Sequence, residues 1–404
     1  MDTSDIGRRI AYWRSERGYT QSDFGHLMGQ TKRWVQSLEG GQRQQDPRLS
    51  VLVRAAEILR VPLEQLLTDT APRPPADSAP PADALRVIDA LYAPERDDDP
   101  PARHVMQRRL DYCCVAFQAC HYAALARDLP ALLADAERAT HAAPVGEQGE
   151  AQALLSRVYQ LVTSYLHKYG AATAIPAALA ADRGLAAAER SGDPVQMGAA
   201  ARRVAKSLVY QQRPAAAVEF ATTAARRLAD GLTDRGALGL STLGMLYLSA
   251  ALAESSQERT TDRVRAAGGY VDEAGEVAAQ QGADLDEDFT QFGPTNVVLH
   301  RMDVLLRFED GWSALEAAEG ATPQALAGMT RERQAGHRVA IARASLLTRD
   351  KDAAGAALLQ ADELAPEEVR GRPDTVNLVK DVVRVTRDPG PALRTLAERC
   401  GLRA

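Results

Sequence analysis

Four cysteines, six phenylalanines and only five lysines among 48 basic residues mark this 404-residue chain by what it has little of. The cysteines exclude a disulfide framework. Cys113, Cys114 and Cys120 share one helical stretch, Cys400 stands near the end, and the spacing matches no common zinc pattern. Buried thiols are the expectation, with a redox sensor as the alternative. No apolar stretch approaches the roughly 20 residues of a membrane-spanning helix. The N-terminus MDTSDIGRR has no apolar signal region, so a cytoplasmic protein without a membrane partner is expected. A phosphate-cradling glycine loop, HExxH, Gly-x-Ser-x-Gly and Cys-x-x-Cys are all absent. The chain therefore reads as a non-enzyme, with no cofactor and no metal site.

What is present is helix. Hydrophobic residues make up 45% and charged residues 25%, a globular composition. The net charge of −6 does not announce a nucleic-acid binder, and residues 1–70 carry 10 basic against 9 acidic side chains. Any charge that meets phosphate must therefore be local, and a dimer would double it.

The stretch TQSDFGHLMGQTKRWVQSLEGG, residues 20–41, organises the N-terminal region. It predicts a helix over 21–28 with Phe24, Leu27 and Met28 inward, a sharp turn at Gly29, and a second helix capped by Thr31 and stopped by Gly40-Gly41. Small Gly25 sits where the two helices approach. Val35 and Leu38 point inward, while Lys32, Arg33 and Gln36 share the opposite face, with the groups that read guanine and adenine edges. Ile6, Ile10 and Trp13 predict a preceding helix over 5–17. Leu52, Ala56 and Leu59 predict another over 49–59, and Leu63, Leu66 and Leu67 a short last one.

These coordinated positions resemble the helix-turn-helix of lambda-repressor/Cro-type (XRE-family) regulators, over the first 68 residues. The resemblance implies five helices in a DNA-binding domain. Gln21, at its helix N-terminus, is expected to meet phosphate, and Thr31 to cap and touch backbone. Lys32, Arg33 and Gln36 are the expected base readers, and Arg43 a phosphate contact. Trp34 departs from the small polar residue common there in the family. It either packs at the helix edge or touches a thymine methyl.

Residues 69–83, DTAPRPPADSAPPAD, read as a semi-rigid linker. A short helix at 83–92 and the acidic loop 94–101 extend this connecting region to 101. From 102 to 404 the 3.6-residue period persists, with breakers every 15–20 residues or so. The pattern divides into helix pairs: 102–127 with 129–142, 148–168 with 174–191, 194–211 with 214–230, 235–254 with 261–281, 294–309 with 310–319, 331–348 with 351–364, and 373–387 with 389–400. This periodicity predicts an α-solenoid. Ala205, Leu208, Ala217, Ala221 and Ala224, followed by Gly244 and Tyr247, resemble the tetratricopeptide repeat. The fold class expected is thus all-α: a lambda-repressor-like head followed by a tetratricopeptide-like helical-hairpin solenoid. That layout is similar to Rgg/PlcR-type regulators. The segments FGPTNVVLH at 292–300 and PEEVRGRPDTVNLVKDVVR at 366–384 resemble recurrent signatures of actinobacterial XRE regulators.

One helix of the solenoid carries a polar stripe, Asn296, His300, Asp303 and Arg307, opposite Val298, Met302 and Leu305. Such a stripe is either a solvated face or the lining of a concave groove that takes a peptide or small-molecule effector. Lys206, Tyr210, Tyr247 and Asn377 are further candidates on first-type helices. The expectation is a homodimeric regulator on a pseudo-palindromic double-stranded DNA operator, sensing a peptide or small molecule. The rival is a protein-interaction scaffold with a weak or vestigial DNA-binding head.

Overall fold

A computed structural model describes residues 4–39, 49–59, 61, 63, 66, 80–93 and 98–402. Their regular elements are helical, apart from one isolated bridge between Leu285 and Phe292. The chain is all-α and forms two units, Met1–Ala79 and Pro80–Ala404.

The first unit contains α1 (Ser4–Glu16), α2 (Gln21–Met28), α3 (Lys32–Glu39) and α4 (Leu49–Leu59). Ile6, Ile10, Phe24, Met28, Val35, Leu38, Leu52 and Leu59 close one apolar core. Two glycines are required by geometry. Gly29 ends α2 in the left-handed region at φ 68°. Gly7 lets α1 cross the end of α3, where a Cβ would lie 2.4 Å from the Leu38 carbonyl oxygen. Leu27 was expected inward and is exposed, because it turns toward Val53 and Arg54 at the surface rather than into the core. Leu66 is buried, while Leu67, Gly40, Gly41 and Arg43 lie outside the described residues.

The second unit opens with α5 (Ala82–Ala90), α6 (Arg103–Gln118) and α7 (Tyr122–Ala142). Next come α8 (Gln148–Leu166), a 3-10 segment (His167–Thr173), α9 (Ala174–Ser191), α10 (Pro194–Tyr210), α11 (Pro214–Thr233), α12 (Gly236–Glu254) and α13 (Thr261–Gln281). The last third holds α14 (Pro294–Arg307), α15 (Gly311–Ala318), α16 (Pro323–Ala327), α17 (Arg331–Leu347), α18 (Lys351–Leu364), α19 (Pro366–Arg370), α20 (Pro373–Val385) and α21 (Pro391–Arg399). Sequence neighbours pack most heavily: α8 on α9, α10 on α11, α12 on α13, α17 on α18. Ala205, Ala217 and Ala221 are buried where α10 meets α11, so small side chains set the close approach.

Three expectations are corrected. The helix expected over 102–127 does not run to 127. It stops at Gln118, Cys120 takes φ 63°, and the next helix carries Pro130 inside it. Burial of Leu129, Leu132 and Leu133 carries that helix through a proline that lacks an N–H to donate. The helix expected within the connecting region 69–101 belongs to the second unit. Ala84, Val87 and Leu91 are buried in its core, and Arg183 donates to the Leu91 carbonyl at 2.6 Å. Finally, α12 has 19 residues with a mean hydropathy of 1.5, long and apolar enough to cross a membrane by length and composition. It is apolar on all sides because 67% of that stretch is buried among neighbouring helices.

The succession of pairs bends until its end meets its beginning. Arg331 donates to the Ala119 carbonyl at 2.8 Å, and Gln118 to Asp286 at 2.9 Å. Pro373 lies 3.9 Å from where a Gly170 Cβ would stand. Lys168, from the first third, reaches Glu332 at 2.5 Å and Glu368 at 2.9 Å in the last third.

Candidate nucleic-acid interface and an inner charged cluster

On the first unit, α2 and α3 are presented by local capping. Thr20 Oγ1 accepts from the Asp23 N–H at 3.1 Å, and the Asp23 carboxylate accepts from the Thr20 N–H at 3.0 Å. This is a capping box, whose Thr-x-x-Asp pattern in the sequence went unread. Thr31 Oγ1 accepts from the Trp34 N–H at 3.2 Å, so it caps α3 as its residue type suggests. A Cβ on Gly25 would lie 3.0 Å from the Gln30 carbonyl oxygen, so a small residue is needed against the turn. Val35 and Leu38 are buried, whereas Lys32, Arg33 and Gln36 are exposed on the other face. None of those three side chains makes a hydrogen bond or ion pair among the described residues. Trp34 is half-buried against the core.

Gln21 is placed differently from a free phosphate contact. Its Nε2 donates to Glu39 Oε2 at 2.8 Å, and Glu39 in turn accepts from Arg14 Nε at 2.5 Å. One of the two Nε2 hydrogens of Gln21 is thus spent on Glu39, and the other is left to donate. These three residues are far apart in sequence, and no local pattern announces them.

In the second unit the predicted stripe on α14 divides. Asn296 is fully buried. Its Nδ2 donates to the Thr290 carbonyl at 3.3 Å, and its Oδ1 has no partner among the described residues. It braces the loop before α14 and does not line a groove. His300 is buried, with Nδ1 2.9 Å from the Asn296 carbonyl. Burial, helped by Arg333, brings its imidazole down to about 3, so it is neutral. Asp303 and Arg307 remain exposed.

The FGPTNVVLH segment explains this bracing. The Phe292 ring covers Gly244, where a Cβ would overlap the ring. A Cβ on Gly293 would strike Asp284, whose carboxylate accepts from the Thr295 N–H at 3.0 Å and from its hydroxyl at 2.6 Å.

Lys206 and Tyr210 lie on one face of α10 with Arg202 and Arg203. Tyr210 stacks on His167 at 4.9 Å and donates to the His167 carbonyl at 3.3 Å. Lys206 keeps access to solvent, yet burial, with Arg372 and Lys168 nearby, lowers its ammonium to about 7. Burial and Arg157 bring Arg203 down to about 10, and burial with Arg203 and Arg333 nearby lowers Arg202 well below its ordinary range. The surrounding helices desolvate Asp303 enough to raise its carboxyl although its surface reaches solvent, and Arg307 and Arg333 oppose the rise. These α10 and α14 groups therefore share one field with the start of α17. Tyr247 sits elsewhere: it packs among α12 neighbours, with Glu273 as its charged neighbour. Asn377 is exposed on α20 and makes no hydrogen bond among the described residues.

Sequence reasoning missed the buried knot around Lys168. Glu368 is almost wholly buried and accepts from Tyr122, Lys168 and Arg372. Burial opposes its ionisation, but Lys168 and Arg372 prevail and hold the carboxyl at about 2. The PEEVRGRPD segment is what delivers this carboxylate. Cys113, Cys114 and Cys120 are buried thiols and Cys400 is half-buried: burial pushes Cys113 up to about 11, and Cys114 and Cys120 up to about 12. Groups held so far from the thiolate are poor redox sensors.

Compared with family models, with curated proteins and with solved structures, the chain finds no match.

Proposed function

We propose that the chain is a sequence-specific DNA-binding transcriptional regulator. The first unit acts as a helix-turn-helix head of the lambda-repressor type, and the second as a tetratricopeptide-like solenoid that dimerises and senses an effector. One observation carries this reading. α3 buries Val35 and Leu38 while leaving Lys32, Arg33 and Gln36 exposed and without internal partners. Polar side chains on a short capped helix, next to a tight glycine turn, are what a major groove accepts. Two copies of the head meet half-sites about one helical turn apart. The effector acts through its different affinity for the DNA-competent and DNA-incompetent arrangements.

Selection of genomic fragments in vitro tests the reading. The wild-type protein is expected to enrich a two-fold symmetric motif, and the Lys32→Ala/Arg33→Ala/Gln36→Ala variant to enrich none. Arg33→Ala alone is expected to cost about 1–3 kcal/mol and to relax preference at one base pair. Equal enrichment by wild type and triple variant removes α3 as the reader.

A further inference from the structure

The inner face of α10 holds more positive charge than its surroundings neutralise. Arg202, Arg203 and Lys206 fall at i, i+1 and i+4, on one side of the helix. The flank away from them is committed to packing through Ala201 and Ala205. Near these cations stands Arg333, in the first turn of α17: its neighbour Glu332 reaches Lys168 at 2.5 Å, and His167, beside Lys168, meets Ser207 of α10 at 3.1 Å. Solvent reaches all four cations.

Two of the three carboxylates near this group are already engaged in ion pairs, and the third, Asp303, makes none among the described residues. Asp288 pairs with Arg157, and Glu332 pairs with Lys168. Asp303 stands among Arg307, Arg333, Arg343 and Arg372. Arg202, Lys206 and Arg333 have no hydrogen-bonded or ion-paired acceptor among the described residues. Arg203 spends only its Nε, on Ser164 Oγ at 3.0 Å. Three half-buried guanidiniums and one exposed ammonium are placed together against their mutual repulsion. Guanidinium forks match the paired oxygens of phosphate and carboxylate. Clusters held in a disfavoured charge state concentrate at binding sites.

We propose that Arg202, Arg203, Lys206 and Arg333 form a binding site for a small polyanion, a molecule bearing two or more phosphate or carboxylate groups. The anion takes the guanidinium forks of Arg202 and Arg333 and the ammonium of Lys206. It supplies the negative charge that the protein withholds from this space. That the anion is the effector of a DNA-binding regulator rests on the function proposed above. The site itself does not.

Thermal unfolding of the full chain tests the site without DNA, with sodium pyrophosphate and sodium citrate as probes against sodium chloride at equal ionic strength. Millimolar probe is expected to raise the unfolding midpoint by about 5 °C. A rise with pyrophosphate alone assigns a phosphate-bearing ligand, and a rise with citrate alone a polycarboxylate. A rise with both identifies the shared oxyanion chemistry. Arg202→Gln/Arg333→Gln is expected to abolish the rise. Neither side chain has an internal partner, so the variant is expected to unfold without probe at or above the wild-type midpoint. That result separates lost binding from lost folding. Lys32→Ala/Arg33→Ala is expected to keep the full rise. No rise in the wild type, a rise retained in the Arg202/Arg333 variant, or a rise lost in the Lys32/Arg33 variant each overturns the site. If the probe binds and occupancy of the selected operator does not change, the sensor reading fails while the site stands.

Discussion

In the first unit, Lys32 and Arg33 stand on α3 in open solvent, without an internal partner. In the second, Arg202 and Arg203 are half-buried and Lys206 is exposed on α10, and desolvation by the surrounding helices lowers each of them. The residue types are the same and the physics is not. On α3 the charge is fully hydrated, costs nothing to hold, and is available to a large surface such as a duplex. On α10 the charge is partly desolvated and opposed by its neighbours, so a small anion that fits the space gains more per contact than the same anion gains in water. The comparison also separates two kinds of support. The head is held by caps, a glycine turn and the Arg14–Glu39–Gln21 bonds. The second unit is held by ion pairs between segments more than a hundred residues apart.

That contrast is sharpest at Lys168. Lys168→Met leaves buried Glu368 and half-buried Glu332 without their shared cation. The expected cost is about 3–5 kcal/mol of unfolding free energy at pH 7, read from denaturant titration. A loss under 1 kcal/mol would show that Arg372 alone neutralises the knot. The same pair predicts a pH dependence. The folded-state value of Glu368 lies below its ordinary 4.5, so its stabilisation is complete above about 4.5 and fades as the pH falls toward 2. The margin of the wild type over Lys168→Met is expected to narrow across that window.

A smaller effect probes the head. Gly7→Ala puts a Cβ against the Leu38 and Glu39 carbonyl oxygens, both backbone atoms that cannot swing away. About 1–3 kcal/mol should be lost from the first unit. Trp13 and Trp34 report it through fluorescence, while the second unit's transition stays in place. A coincident shift of both transitions would mean that the two units do not unfold independently.

The smallest effect decides the role of Gln21. If its amide serves only Glu39, Gln21→Ala costs about 1 kcal/mol of head stability and leaves DNA affinity nearly unchanged once folded protein is compared. Uniform weakening on every DNA sequence, with no change in stability, would instead return Gln21 to the phosphate contacts.

Much of the helical framework was legible in the chain. The 49–59 helix and the 21–28 helix match residue for residue, and the start of nearly every later helix falls within one or two residues of expectation. Caps, periodicity and positive-φ glycines act within a few residues, so one-dimensional reading reaches them. The same reading failed at Pro130, where buried leucines override a breaker, and at the 82–90 helix, whose neighbours in the sequence look like linker while its partners lie elsewhere in the second unit. It also placed Asn296 with Asp303 on one polar stripe. Periodicity assigns a face to a helix but does not say what that face meets.

By itself, then, the sequence determined the all-helical class, most helix boundaries, the turn at Gly29 and the exposed polar face of α3, because each depends on local geometry and hydrophobic period. Only the tertiary structure decided that Tyr122 and Lys168 meet Glu368, 246 and 200 residues away. It alone decided that Gln21 is held by Glu39, and that Ser207 of α10 and Glu332 of α17 meet the adjacent residues His167 and Lys168. Such pairings depend on the accumulated angles of many helix-to-helix packings, and no short stretch of the chain carries that sum.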